Sequence, residues 1–228
     1  QKSALELPPV TVGPLSLRLA AAKGDPSAEF EVGARLAEGK GTDQSFKDAV
    51  KWYTRSANQG FAQAQYRLGT LYERGLGVKS DPARARVWYS RAAEQGNVKA
   101  MHNLAVLSAG SKSGSPDYSA AAHWFGEAAV RGLGDSQFNL AVLYDSGLGV
   151  SKDTSLAYQW FALAARSGDK EAVRRRDLAK AALPATDAAA IDARVASWLP
   201  QSADQMANDA RAAGEAWKRR ENAEEGNG

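Results

Sequence analysis

The chain of 228 residues contains no cysteine. That excludes disulfides, thiolate catalysis and cysteine-ligated zinc. It fits the cytoplasm, and equally a periplasmic domain that needs no covalent staples. Only two histidines are present, His102 and His123, too few for an ordinary His-rich metal site, so no metal and no cofactor is expected. No apolar run approaches 18 residues, so no membrane span is expected within the sequence. Charge of one sign is also missing. The net charge is only +3, and its densest basic cluster, Arg174 to Arg176 with Lys170 and Lys180 nearby, reads as a solvated helix face rather than a polyanion site, so nucleic acid is not an expected partner. No secretory leader opens the chain and Gln1 is not an initiator methionine, which suggests an excised piece or a processed form.

What is present is periodicity. Gly24, Gly60, Gly96, Gly132 and Gly168 are each 36 residues apart, as are Trp52, Trp88, Trp124 and Trp160, and Ala49, Ala85, Ala121 and Ala157. The next register holds Tyr53, Tyr89, Phe125 and Phe161, followed by Ala57, Ala93, Ala129 and Ala165. An unbroken period of this length marks a repeat array. Four units follow: 25–60, 61–96, 97–132 and 133–168. Each unit reads as two helices. In the second, Ala64 to Arg74 places Ala64, Leu68, Leu71 and Tyr72 on one apolar stripe. Gly69 sits in mid-helix, where glycine costs about 1 kcal/mol against alanine; its equivalents Gly33, Ala105 and Ala141 are also small, which points to close helix–helix approach. Gly75 ends that helix and Gly77 allows a tight turn. The second helix begins at Asp81-Pro82, an N-cap followed by a first-turn proline, with Asp153 the equivalent cap in the fourth unit. Ala85, Trp88, Tyr89, Ala92 and Ala93 form its stripe, and Gly96 closes it. One hairpin cannot bury such a surface alone, whereas a stack can.

The run Ala64, Leu68, Gly69, Tyr72, Gly75, Gly77, Val78, Ala85, Trp88, Tyr89, Ala92, Ala93, Gly96 resembles the Sel-one-like repeat family, relatives of tetratricopeptide repeats. Leu140, Tyr144, Gly147, Gly149, Val150, Ala157, Trp160, Phe161, Ala164, Ala165 and Gly168 repeat it, and the resemblance covers about residues 15–182. It implies an all-α, right-handed α-solenoid that acts as an adaptor, in many bacterial members at the cell envelope. The stretches LPPVTVGPLSLRLAAAKGDPSAEFEVGARLAEGKG, AEQGNVKAMHNLAVLSAG and SLAYQWFALAARSGDKEAVRRRD are further similar to the periplasmic C-terminal region of alphaproteobacterial polar localisation factors. That similarity implies a soluble fragment of a single-pass inner-membrane scaffold at the cell pole, anchored by a helix before residue 1. The implied partners are envelope or polar proteins, with peptidoglycan as a further candidate.

At the ends, residues 1–14 hold three prolines and are expected to be extended. Residues 15–24 read as an N-terminal capping helix. Beyond Gly168, a helix over 170–182 caps the last hairpin, with Arg176 in place of Leu140. Stretches 185–198 and 202–219, carrying Trp198 and Trp217 and separated by Pro200, complete a C-terminal cap over 169–219, expected to pack on the end of the stack. Residues 220–228 are expected to be disordered.

In a stacked array the first helices line the concave face. The register two positions before the recurring leucine gives Phe30, Tyr66, His102 and Phe138; the next gives Glu31, Arg67, Asn103 and Asn139. Ala34, Thr70, Val106 and Val142 follow, then Glu73 and Asp145. The candidate binding residues are therefore Tyr66, Arg67, Thr70, Glu73, His102, Asn103, Phe138 and Asn139. Two readings stand for the aromatics: a ladder for an extended peptide or glycan, or packing between neighbouring first helices. Asn103 and Asn139 favour a binding role, since asparagine weakens a helix. The third unit replaces GLGV by residues 108–117, with Ser111 and Ser113 for the glycines and Ser108 for the aromatic. Drift in an exposed loop explains this more simply than a mobile contact loop.

No catalytic constellation emerges. Ser167 to Lys170 fits S-x-x-K but straddles a repeat-closing glycine without its companion motif, and no phosphate loop or H-E-x-x-H occurs. His123 reads as exposed surface. Glu73 and Glu94 could serve glycoside hydrolysis only across a suitable cleft. The expected function is a non-catalytic scaffold. A free periplasmic repeat protein that restrains a sensor kinase is the alternative, and a cell-wall enzyme or its accessory the third reading.

Overall fold

The computed structural model describes residues 6–110 and 115–220; Ser111, Ser113 and the tail from 221 lie outside the described residues. Among the described residues the ordered elements are helical. After a 3-10 turn at Val10–Val12 and α1 (Leu15–Ala22), four hairpins follow: α2 (Pro26–Glu38) with α3 (Phe46–Asn58), α4 (Ala62–Arg74) with α5 (Pro82–Glu94), α6 (Val98–Ala109) with α7 (Tyr118–Val130), and α8 (Gly134–Ser146) with α9 (Thr154–Ala164). The chain ends with α10 (Lys170–Ala181), α11 (Ala185–Ser197), α12 (Gln205–Asn208) and α13 (Ala210–Glu215). This is the α-solenoid architecture that the 36-residue period implies. No described helix is long and apolar enough to cross a membrane.

Local chemistry sets the helix limits. Ser45, Asp81, Asp117 and Asp153 cap the second helices, each side chain accepting the backbone N–H three residues on. Gly39, Gly75 and Gly147 end first helices in the left-handed region, at φ of 68–69°. The five repeat-closing glycines have φ between 81° and 93°. A Cβ at Gly60 or Gly96 would meet nothing within 4 Å, so glycine is there for its backbone and not for space. One backbone bond closes the loop of every hairpin at the same register: Ser45 N to Leu36 O, Asp81 N to Tyr72 O, Asp117 N to Ser108 O and Asp153 N to Tyr144 O, at 2.7–3.0 Å. The third hairpin keeps this bond and its Asp117 cap despite its divergent loop sequence, and Ser108 spends its hydroxyl on Leu104 O at 2.8 Å.

The chain divides into two compact units. One runs up to Ala100 and also takes in the segment from Asp204 onward; the other is Met101–Ala203. The first has its core in Val12, Leu17, Phe30, Trp52, Tyr53, Leu68 and Trp217, among others; the second in Phe125, Leu140, Trp160, Phe161 and Ile191. Fully burying one such ring contributes about 1.5–3 kcal/mol. Trp52 and Trp160 are buried, whereas Trp88 and Trp124 are only half-buried, so the tryptophan stripe is less uniform than its spacing suggested.

Between hairpins, polar side chains span the joint. Gln65 Nε2 donates to Ala57 O and Gln137 Nε2 to Ala129 O, at 3.2 and 3.1 Å and in identical register. Glu29 fills that register in the first hairpin and accepts from Arg55 Nε and Gln59 Nε2 at 2.8 and 2.7 Å. Its burial pushes the carboxyl pKa up, against the lowering pull of Arg55 and Gln59.

Two end segments differ from expectation. The N-terminal segment is not simply extended. Its 3-10 turn buries Val12 completely, and Thr11 donates or accepts a 2.8 Å bond with Thr42. At the other end, α10 and α11 pack against α9, with Lys180 and the Tyr158 hydroxyl both on Asp192. Residues 204–217, however, do not form one helix and do not cap the last hairpin. Asp209 leaves helical geometry (φ −101°, ψ 101°) to cap α13, and the segment packs on α2 and α4.

Candidate binding face of the first helices

Each first-helix aromatic lies against the ring of its own second helix. The centroid distances are 5.7 Å for Phe30–Tyr53, 6.1 Å for Tyr66–Tyr89, 5.6 Å for His102–Phe125 and 5.5 Å for Phe138–Phe161. Phe30 also meets Phe61, at the start of the next first helix, at 5.5 Å, so packing within and between hairpins both engage these rings. Phe30 is buried, while Tyr66, His102 and Phe138 keep part of their surface. The small residue of each first helix explains the close approach. A Cβ at Gly33 or Gly69 would stand 2.7 Å from the ring of Tyr53 or Tyr89.

In the first unit, three of the candidate residues serve this packing. The Tyr89 hydroxyl donates to Glu73 Oε2 at 2.6 Å and lies 3.2 Å from Thr70 Oγ1, with the ring of Tyr66 beside it. Arg67 lies elsewhere on the face, in a cleft of about 440 Å³ that it shares with Phe30, Glu31 and Arg35 on one side and Gly214, Trp217 and Lys218 on the other. The face of α2 and α4 is thus covered by the chain's own C-terminal segment.

In the second unit the same face is open. His102, Phe138 and Asn139 line a cleft of about 630 Å³ together with Leu133, Asp135, Ala164, Ser167, Asp169 and Glu171. Asn103 is half-buried and does not line it. His102 Nδ1 is 2.8 Å from Ser136 Oγ, and burial lowers the pKa of the ring, partly countered by Asp135. Asp169 caps α10 through Ala172 N at 2.8 Å, and Glu171 pairs with Arg174. The walls offer an aromatic face, an amide and a carboxylate rim, which suits a polar or basic peptide segment. Ser167, the serine of the S-x-x-K run, donates to Ala164 O at 3.0 Å at a helix end. Among the described residues no group of acidic and histidine side chains is placed to hold a metal.

Three further features bear on binding. The arginine run is neutralised locally: Arg174 pairs with Glu171, Arg175 with Asp145 and Arg176 with Asp177. Ser27 and Asn97, unremarked in the sequence, anchor the C-terminal segment; they lie at first-helix starts, where exposed N–H groups invite capping. The register of Glu29, Gln65 and Gln137 carries glutamate or glutamine in units one, two and four, with Met101 in unit three.

Hairpin repeats with a first-helix groove define the chain as a protein-interaction scaffold of the α-solenoid class. More narrowly, the Sel1 repeat family model matches residues 26–61, 62–97, 98–132 and 134–169, and the chain belongs to that family. Among solved structures it is similar to a protective antigen present in uropathogenic Escherichia coli strains that displays an SLR fold, with 31% identity, TM-score 0.69, and coverage of 79% of this chain and 40% of that one. It is also similar to a Sel1 repeat protein from Oxalobacter formigenes, with 30% identity, TM-score 0.66, and coverage of 79% and 76%. The chain therefore spans well under half the length of the Escherichia coli antigen. No curated protein sequence matches it.

Proposed function

We propose that this chain is a non-catalytic adaptor domain that holds partner proteins on the face of its first helices. The observation that carries the reading is the open cleft of the second unit, which gathers His102, Phe138 and Asn139 from two first helices into one concave wall. The similarity of three long stretches to periplasmic regions of polar localisation factors supports a place in the periplasm, within a membrane-anchored protein at the cell pole. Its partners there are envelope or polar proteins, with peptidoglycan as an additional ligand.

A photo-crosslinking residue at Asn139 tests this against one at His123, which is exposed on α7. In envelope extract the Asn139 probe is expected to capture a discrete protein that the His123 probe does not. Equal capture from both positions, or capture from His123 alone, would sink the groove. Cosedimentation with purified peptidoglycan, with and without His102→Ala and Asn139→Ala, tests the glycan arm in the same way.

A further inference from the structure

The segment after Asp204 behaves as a ligand of the first unit. Helices α12 and α13 span four and six residues, too short to persist alone in water, so their order comes from what they lie on. Their attachments are specific. Asn97 Nδ2 donates to Ala207 O at 2.5 Å, Val98 N to Asn208 Oδ1 at 2.8 Å, and Asn208 Nδ2 to Gly96 O at 2.9 Å. At the far end the Ser27 hydroxyl donates to Ala213 O at 2.5 Å and accepts from Trp217 N at 3.1 Å.

The seat buries small side chains. Ala207, Ala213, Gly214, Ala216 and Trp217 are all buried, and a Cβ on Gly214 would meet only the movable carboxylate end of Glu31. Yet the fit is incomplete. Among the described residues, Arg67 Nε and Trp217 Nε1 are buried donors without an acceptor, a state that disfavours the docked form. The lead-in, residues 199–205, is exposed throughout, with Leu199 82% accessible. A tethered segment with main-chain anchors, buried small residues and two unmet donors has the attributes of a peptide lying in a binding site.

We propose that the face of α2 and α4 is a docking site for a helical segment of a partner protein. That segment carries alanine or glycine where Ala213 and Gly214 lie and tryptophan at the place of Trp217. Residues 204–217 fill the site in cis and yield to a partner segment that brings an acceptor within reach of Arg67. This rests on the adaptor reading and names the chemistry of one partner.

The absence of cysteine makes a direct test available. Glu31 Cβ is 3.8 Å from the position of a Cβ on Gly214, a normal disulfide span. In full-length Glu31→Cys/Gly214→Cys, the bond is expected to form on oxidation and lock the segment down. The probe is a labelled synthetic peptide of residues 204–220. The reduced double variant is expected to bind it, and the oxidised form to bind at least about tenfold more weakly, because the competent state is depopulated. Full-length Trp217→Ala, its cis occupant weakened, is expected to bind at least about tenfold more tightly than wild type. Failure of the crosslink to form, equal binding by oxidised and reduced protein, or no gain in Trp217→Ala would each overturn the proposal. The Asn139 crosslink reads a different unit, so its loss would instead overturn the adaptor reading.

Discussion

The first two hairpins and the last two solve the same packing problem in different ways. Hairpins one and two pair a glycine with a tyrosine, Gly33 with Tyr53 and Gly69 with Tyr89, and their rings meet the first-helix aromatic at 37° and 35°. Hairpins three and four pair an alanine with a phenylalanine, Ala105 with Phe125 and Ala141 with Phe161, and their rings meet His102 and Phe138 edge-on, at 60° and 63°. In hairpin two the reason is visible. The Tyr89 hydroxyl is held by Glu73, on the same helix as Gly69, which draws the ring over the bare backbone. A phenylalanine has no such tether, and its ring leaves room for a methyl group. Residue pairs 20 apart, rather than single positions, are therefore the units of this repeat.

What hairpins two and four share across that divide should be the costliest to disturb. A Cβ on Gly77 would collide with the Phe46 carbonyl and one on Gly149 with the Tyr118 carbonyl, and both glycines hold φ near 70°. Gly77→Ala and Gly149→Ala are each expected to destabilise by about 3 kcal/mol, from left-handed strain plus a clash with backbone, read as a lower urea midpoint. Equal stability of either variant to wild type would mean that the loops do not rest on the preceding helix.

The pairing itself is tested by exchange. Gly69→Ala gains about 1 kcal/mol in helix propensity but overpacks against Tyr89 at about 1–3 kcal/mol, for a net loss of about 0–2 kcal/mol. Adding Tyr89→Phe converts hairpin two to the form of hairpins three and four. The double variant is expected to be more stable than the sum of the singles by about 1 kcal/mol. Simple additivity in chemical denaturation would separate the glycine from the tyrosine and break the comparison.

The smallest effect is electrostatic, and its sign differs between units. Burial lowers the pKa of His102 below its ordinary 6.5. The unfolded chain therefore takes up the proton first, and the second unit loses stability as pH falls through 6.5 toward the folded value. Burial raises Glu29 above 4.5, so the folded chain holds that proton longer, and the first unit loses stability as pH rises through 4.5 toward its folded value. Thermal melts of His102→Gln and Glu29→Gln against pH are expected to flatten opposite flanks of the wild-type profile. Flattening of the same flank by both would contradict the burial of one of them.

The repeats were legible because their information is local. Glycine at a helix end, aspartate at a helix start and an aromatic one turn from an alanine act within 36 residues, and four copies make the pattern plain. The pairing of Gly69 with a ring was legible only as a need for small size; the atom it faces required the fold. The seat of Trp217 was not legible at all. Its bonds reach Ser27, 190 residues away, and nothing in the alanine-rich run of residues 210–217 marks one helical face over another. Among the candidate residues, spacing put His102, Phe138 and Asn139 in positions that line one cleft. It could not separate them from Thr70 and Glu73, which have the same register logic but are spent on the Tyr89 hydroxyl.

The turn at Val10–Val12 occupies, for the first hairpin, the seat that a helix start fills elsewhere. Gly41 faces Thr11 O at 3.6 Å, where Gly77 faces Phe46 and Gly149 faces Tyr118. In the first hairpin the chain fills that seat from its own preceding segment, with a three-residue turn in place of another hairpin.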